Sequence, residues 1–271
     1  MPETTTSSTP EPSPLLARLR RDEPTLMLAI RSARTTEIVR IAHSTGHHVI
    51  MVDLEHSHID VSIAAEMCGA AGDLGLSSFV RIPERDYGII GRLLDGGATG
   101  IIAPRIETAA QAEEVARACR FPPHGQRSQL AMVPQFGMRP MPPRDLNARL
   151  DAQTVVQALV ETPAGSAAAD AIAALPGVDI LAIGANDLSA ELGIAGDYAN
   201  PSMRDAVAVV GAACKRHGKL MMLGGVGDLE LMRQWMPLGI APLFMTGTDT
   251  DMLYGAAEAR TRKFLDWYKS F

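Results

Sequence analysis

The chain has 271 residues, 46% of them hydrophobic and 21% charged, and 25 Lys and Arg stand against 31 Asp and Glu for a net charge of −6. This is ordinary globular composition, long enough for one large barrel or two small domains, with no basic footprint for nucleic acid or an anionic membrane. No run of 18 apolar residues marks a spanning helix, and Cys68, Cys119 and Cys214 form no CxxC pair, so buried, reduced thiols in a cytoplasmic protein are expected.

Residues 1–14 are rich in Thr, Ser, Pro and Glu, with neither the basic start nor the apolar stretch of a secretory signal, and read as a disordered leader. Residues 15–271 read as one domain. Short apolar runs follow at Thr25–Ile30, His48–Glu55, Ser78–Ile82, Gly100–Ile106, Val155–Thr162, Asp179–Asp187, Leu220–Gly225 and Pro242–Thr248. Most hold nearly unbroken Val, Ile, Leu, Met and Ala, the pattern of parallel strands buried on both faces. Amphipathic stretches alternate with them: 35–44, 61–71, 87–95, 109–120, 164–175, 201–217, 229–235 and a long C-terminal segment from Leu253. Gly46, Gly75, Gly97, Gly177, Gly218 and Gly239 stand where helices end, as left-handed caps. Eightfold β-then-α alternation predicts a (β/α)8 TIM barrel, with a doubly wound open sheet as the alternative. The connection from Phe121 to Asp151, rich in Pro, Met and Arg, is long enough to suggest a functional loop, expected to hang over the barrel mouth and to carry much of the acceptor specificity, Ser128–Asp151 above all.

In such barrels the reacting groups lie at the carboxyl ends of the strands. Glu161 and Asp187 follow adjacent buried runs, where two carboxylates are costly unless paired or bound to a cation. Together they make an oxygen-rich partial site for Mg²⁺, Mn²⁺ or a similar divalent cation, each alone being equally readable as a helix cap. Arg81 ends the third run and can stabilise a developing enolate oxygen, or serve as a structural ion pair. His56 is a candidate general base, with Asp53 three residues earlier able to orient it. His47, His48, His58 and His124 read as structural. The four lysines, Lys215, Lys219, Lys263 and Lys269, lie on helices or at the start of a strand, so none suits a Schiff base. Carbanion chemistry here therefore calls for a metal as electron sink. A weak phosphate-cradle signal lies in Gly224, Gly225 and Gly227 with residues 246–248.

Several segments in order resemble the HpcH/HpaI aldolase family of class II pyruvate aldolases, in the phosphoenolpyruvate/pyruvate barrel superfamily. They are 52–57 (Val-Asp-Leu-Glu-His-Ser), 79–81 (Phe-Val-Arg), 97–104, 121–127, 160–162 (Val-Glu-Thr), 183–189 (Ile-Gly-Ala-Asn-Asp-Leu-Ser) and 249–253. The resemblance spans 15–271. It implies cleavage, or formation, of 4-hydroxy-2-oxo acids to pyruvate or a related 2-oxo acid plus an aldehyde, with Mg²⁺, Mn²⁺ or Co²⁺ held by Glu161 and Asp187. It further implies that Gly184, Ala185, Asn186 and Asp187 bind the 2-oxo acid, with backbone N–H groups near Ala185 and Asn186 on its carboxylate. Arg81 would steady the enolate, and His56 with Asp53 would move the C4 hydroxyl proton. It also implies a homo-oligomer, a hexamer or trimer of dimers, in which the last helix, 253–271, packs on or swaps with a neighbouring subunit.

Three positions depart from the family pattern. Ala185-Asn186 stands where many relatives have Pro-Ala, Leu159 where many have Gln, and Gly224 or Leu223 where an apolar residue often meets the pyruvate methyl. A glycine there would widen the donor pocket, so a donor bulkier than pyruvate is an expectation. Two further readings are a Claisen-type transferase or lyase on an acyl-CoA or citrate-like substrate, with Arg105, Arg127, Arg139 and Arg144 as CoA partners, and a non-catalytic oxo-acid binder.

Overall fold

The computed structural model describes residues 10–271. Residues 1–9 of the expected leader lie outside it; of the remainder, Ser13 is buried, and its side chain caps the first helix while its N–H donates to the Ala152 carbonyl at 3.1 Å. Eight parallel strands follow: β1 (Thr25–Ile30), β2 (Val49–Asp53), β3 (Ser77–Arg81), β4 (Gly100–Ala103), β5 (Val155–Val160), β6 (Ile180–Gly184), β7 (Leu220–Gly224) and β8 (Leu243–Thr248). Each pairs with the next in sequence from β1 to β7, and β8 returns to β1. Among the described residues β7 and the β8 side are joined by the single Met221–Ile240 bridge, so the (β/α)8 barrel is nearly closed.

The helices are α1 (Pro14–Arg20), α2 (Glu37–Ser44), α3 (Val61–Asp73), α4 (Ile90–Asp95), α5 (Ala109–Cys119), α6 (Pro143–Gln153), α7 (Pro163–Ala167), α8 (Ala169–Ala173), α9 (Ala185–Glu191), α10 (Pro201–His217), α11 (Leu229–Trp235) and α12 (Asp249–Lys269). The apolar stripes of α2 to α5 and α8 to α11 cover the outward faces of the strands. In α5, Ala112, Val115, Ala116 and Cys119 are buried, and Thr108 with Gln111 closes a capping box at its start, a device worth about 1 kcal/mol. Gly218 ends α10 at φ 64° and is the left-handed cap expected of it. Gly177 keeps a negative φ; it is needed because a Cβ there would lie 2.7 Å from that of Ala116.

Alternate residues of each strand point inward. Met27, Met51, Phe79, Ile102, Val155, Leu159, Ile180, Ala182 and Met222 fill the barrel, and Leu15, Leu16 and Leu19 of α1 close its amino end. The interior is thus a packed core below and a cavity above.

The segment 121–153 does not hang over the mouth. It follows α5, which has already carried the chain back from the carboxyl end of β4, so it lies under the amino ends of the strands. Gln135 Nε2 donates there to the carbonyls of Leu94 and Ala98. The segment carries the unexpected helix α6, and Phe121, Val133, Leu146 and Leu150 form a small core of its own. Its expected part in acceptor selection is removed with its expected place.

Candidate active site at the carboxyl ends of the strands

Glu161 follows β5 directly and is 4% exposed. Its Oε2 accepts the Arg105 N–H at 3.0 Å. Arg105 reaches that geometry with φ 47°, a left-handed conformation unusual for a residue with a side chain. The rest of the Glu161 carboxylate lies across Gly184, where a Cβ would stand 2.6 Å from Oε1 and 2.7 Å from Cγ. Burial pushes the Glu161 carboxyl up to about 7, helped by the charges of Asp187 and Glu55 and opposed by the Arg105 amide and Arg81. Asp187 enters from the first turn of α9. Arg81, Glu161, Gly184, Ala185, Asn186 and Asp187 line one cavity with Arg31, the inward methionines and Gln157.

Asp53, the last residue of β2 and in register with Arg81, is fully buried. Its Oδ1 accepts Arg81 Nε at 2.9 Å and the backbone N–H groups of Glu55 and His56 at 3.1 and 3.2 Å. Its Oδ2 accepts Arg81 Nη2 at 2.5 Å and Arg31 Nε at 2.7 Å. Burial alone would raise its carboxyl; the hydrogen bonds and charge of Arg81, the His56 amide and Arg31 outweigh this and hold it at about 2. Arg81 also approaches Glu55 Oε2 with Nη1 at 3.3 Å. The His56 side chain is half-exposed and lines an adjoining outer cleft, with Nε2 3.8 Å from Glu55 Oε2. The Asp53 carboxylate therefore meets His56 through its main chain.

Among the described residues no three His, Cys, Asp or Glu side chains are grouped to hold a metal by themselves. Glu161 and Asp187 supply two carboxylates, which suits a cation that keeps other positions for water and substrate. A buried carboxyl raised by a like-charged neighbour is the electrostatic deficit that such a cation corrects.

A profile of the HpcH/HpaI aldolase/citrate lyase family matches residues 26–238. The chain belongs to that family. It is 39% identical over 211 residues to a 4-hydroxy-4-methyl-2-oxoglutarate aldolase of Hapsidospora irregularis, covering 77% of this chain and 78% of that one. It is 31% identical over 244 residues to a 5-keto-4-deoxy-D-glucarate aldolase of Salmonella paratyphi A, covering 89% and 90%. The crystal structure of an HpcH/HpaI aldolase from Desulfitobacterium hafniense superposes with a TM-score of 0.84 at 27% identity, covering 92% of this chain and 96% of that one. This HpcH/HpaI protein is a carbon–carbon lyase.

Within the family frame several sequence expectations change. Arg127 is buried and donates to Asp95 at 2.8 Å, and Arg139 and Arg144 belong to the same segment under the barrel. Arg105 pairs with Glu191 at 2.8 Å. The basic set suggested for CoA is therefore not assembled at the mouth. Nor is the phosphate cradle: the Thr246 hydroxyl lies 2.8 Å from His47 Nε2 and donates to the Met27 carbonyl, while Thr248 caps α12. Lys219 Nζ donates to the carbonyls of Leu175 and Val178 and does not line the cavity. Leu159 does line the cavity, but two residues deeper on the same inward face stands Gln157, 2% exposed, whose Oε1 has no partner among the described residues. Asn186 is held by the Tyr198 hydroxyl, which donates to its Oδ1. A Cβ at Gly224 would make only an ordinary contact with the Ile183 carbonyl at 3.7 Å, so a side chain would fit where this glycine has none.

One site residue escaped the sequence reading, and a second, Asp249, stood in a matching segment without an assigned role. Arg31 follows the first buried run just as Arg81 ends the third, and the same rule would have found it. Asp249 accepts the backbone N–H groups of Arg31, Ser32 and Ala33 at 2.9, 3.0 and 2.7 Å, tying the loop after β1 to the start of α12.

Proposed function

We propose that this protein cleaves, and in reverse forms, the C3–C4 bond of a 4-hydroxy-2-oxo acid, releasing pyruvate or a related 2-oxo acid and an oxo compound. The observation that carries this reading is the buried Glu161 carboxylate, locked across Gly184 beside Asp187 at adjacent strand ends. Glu161 and Asp187 would hold a divalent cation, Mg²⁺, Mn²⁺ or Co²⁺, which when bound supplies the electron sink for carbanion chemistry next to a carbonyl. The names of the relatives, both aldolases of oxo-dicarboxylic acids, support the same class of reaction.

The chain's own residues divide the remaining work. Arg81, fixed by Asp53 and Glu55, presents a rigid positive charge to the cavity and favours negative charge developing on the 2-oxo oxygen. Backbone N–H groups at Ala185 and Asn186 hold the substrate carboxylate. His56, in the cleft on the far side of Glu55, takes the C4 hydroxyl proton in cleavage and returns it in condensation, through water. The methionine-lined space below Glu161, widened at Gly224, suits a donor with more than a methyl group at C3. The protein is read as a cytoplasmic homo-oligomer.

The test is pyruvate release from 4-hydroxy-2-oxo acids by chelator-stripped protein, resupplied with each cation, with pyruvate and 2-oxobutyrate compared as donors in reverse. Activity lost on stripping and restored by metal is expected. Metal binding without turnover on any such acid would overturn the reading, and strict preference for pyruvate would remove the wider donor.

A further inference from the structure

Arg31 is the one lining residue shared by the inner cavity, which holds Glu161 and Asp187, and the outer cleft, which holds Arg34, His56, His58, Thr250 and Tyr254. Both ends of the residue are fixed. Its main-chain N–H donates to Asp249 Oδ1 at 2.9 Å, and its Nε donates to the fully buried Asp53 Oδ2 at 2.7 Å. That Nε bond is the only side-chain hydrogen bond Arg31 makes among the described residues, so both Nη groups of the fork are uncommitted. Arg81 already binds both oxygens of Asp53, so the carboxylate is paired before this second guanidinium adds to it. An arginine anchored at Nε with its two Nη groups turned free is arranged for a planar anion.

We propose that Arg31 is the receptor for a second carboxylate on the substrate, located beyond the cleaved bond, and that the acceptor is accordingly an oxo acid and not a neutral aldehyde. This rests on the aldolase reading for the direction of the substrate. With C1 and C2 at Glu161 and Asp187, the fragment that begins at C4 leaves toward the outer cleft, and Arg31 stands at that junction. In cleavage the C3–C4 bond breaks and its electron pair stays on C3. The C4 hydroxyl loses its proton, and its oxygen becomes the carbonyl oxygen of the departing oxo acid; C3 then takes up a proton. A carboxylate on C4 moves little during these changes, so one fixed arginine can hold it from substrate to product. Arg34 lines the same cleft, with Nη1 donating to the Ser32 carbonyl at 2.6 Å, and adds a second positive charge on the exit side. The substrates named for the two relatives are both dicarboxylates, which agrees with this assignment.

The experiment separates binding from turnover. Metal-loaded full-length protein is titrated calorimetrically with 2-oxoglutarate and with 2-oxopentanoate, which share a five-carbon chain, lack the C4 hydroxyl and so cannot be cleaved. Wild type is expected to bind the dicarboxylate at least tenfold tighter. Arg31→Met should erase that preference, and Arg31→Lys should restore part of it; Arg31→Gln, which keeps a donor for Asp53, serves if the methionine variant fails to fold. Equal binding of both ligands by wild type, or an equal loss of both in the variants, overturns the receptor. A retained preference in protein that never releases pyruvate from any 4-hydroxy-2-oxo acid would leave the receptor standing and sink the aldolase reading; turnover without the preference would do the reverse.

Discussion

At Gly184 the chemistry depends on one missing methyl group. The backbone there has φ −88°, which any residue adopts, so alanine is excluded by contact alone. Its Cβ would stand 2.6 Å from Glu161 Oε1, and neither partner can retreat, because Glu161 is also held at Oε2 by the Arg105 amide. Gly184→Ala is therefore expected to push Glu161 out of line with Asp187, lowering metal affinity and kcat/KM by about 100-fold, an ångström-scale misplacement of a reacting group. Calorimetric metal titration beside thermal unfolding checks this: a near-native Tm with weakened metal binding is expected, and unchanged affinity would refute the role. Asp53 offers a second case. Its folded carboxyl, at about 2, lies below the ordinary 3.8, so its contribution, roughly 2 kcal/mol, is complete above about pH 4 and lost as pH falls through about 2. Asp53→Asn leaves Arg81 and Arg31 without their shared counter-charge and should cost about 3 kcal/mol at pH 7. Urea unfolding of the two proteins should converge as the pH drops toward 2; a constant gap would remove the argument. Such residue-level facts were half legible. Glu161, Asp187 and Arg81 announce themselves as charges directly after buried runs. Arg31 obeys the same rule, while the steric need at Gly184 and the left-handed Arg105 are distances and angles that residue types do not carry.

At the level of elements, unbroken apolar runs translate directly into strands because both faces of a parallel sheet are buried. In β2, β4 and β5 every residue is buried, and the sequence expectation for β1 matches its ends. The segment 121–153 was misplaced for a reason that is also physical. Its composition marks it as irregular, but which end of the barrel it occupies depends on whether it precedes or follows a helix, and α5 comes first. The helices carry their own test. Cys68 of α3, Cys119 of α5 and Cys214 of α10 lie on inward stripes, and burial pushes each thiol up to about 12. Thiolate, the reactive form, is then scarce at neutral pH. A thiol reagent such as Ellman's is expected to find no reactive group in the native protein at pH 8 and three after unfolding. Rapid reaction of any one in native protein would mean that its helix opens readily.

The whole molecule is incomplete at one seam. In a closed (β/α)8 barrel the helix after β8 turns back and packs beside the helix after β1. Here α12 runs on for 21 residues, about 30 Å, and every residue from Thr250 to Phe271 is exposed. Leu253, Tyr254, Phe264, Leu265, Trp267 and Tyr268 put large apolar surface into water, and Ile41 of α2, beside the place an eighth helix would occupy, is 55% exposed. A single helix with a bare apolar face is marginal in water, and patches of this kind mark an interface. A second copy that received α12 at its own seam would cover both surfaces with one self-complementary exchange, the closed arrangement that twofold symmetry permits. Light scattering behind size exclusion is therefore expected to find wild type well above its 28.9 kDa chain mass. Leu265→Glu with Trp267→Glu, which leave the barrel and its mouth untouched, should shift the protein toward that mass and lower its Tm by several degrees. A wild-type monomer would mean that α12 finds its partner elsewhere. An oligomer indifferent to both charges would place the contact on another face, and the seam between β8 and β1 would then have to be stable uncovered.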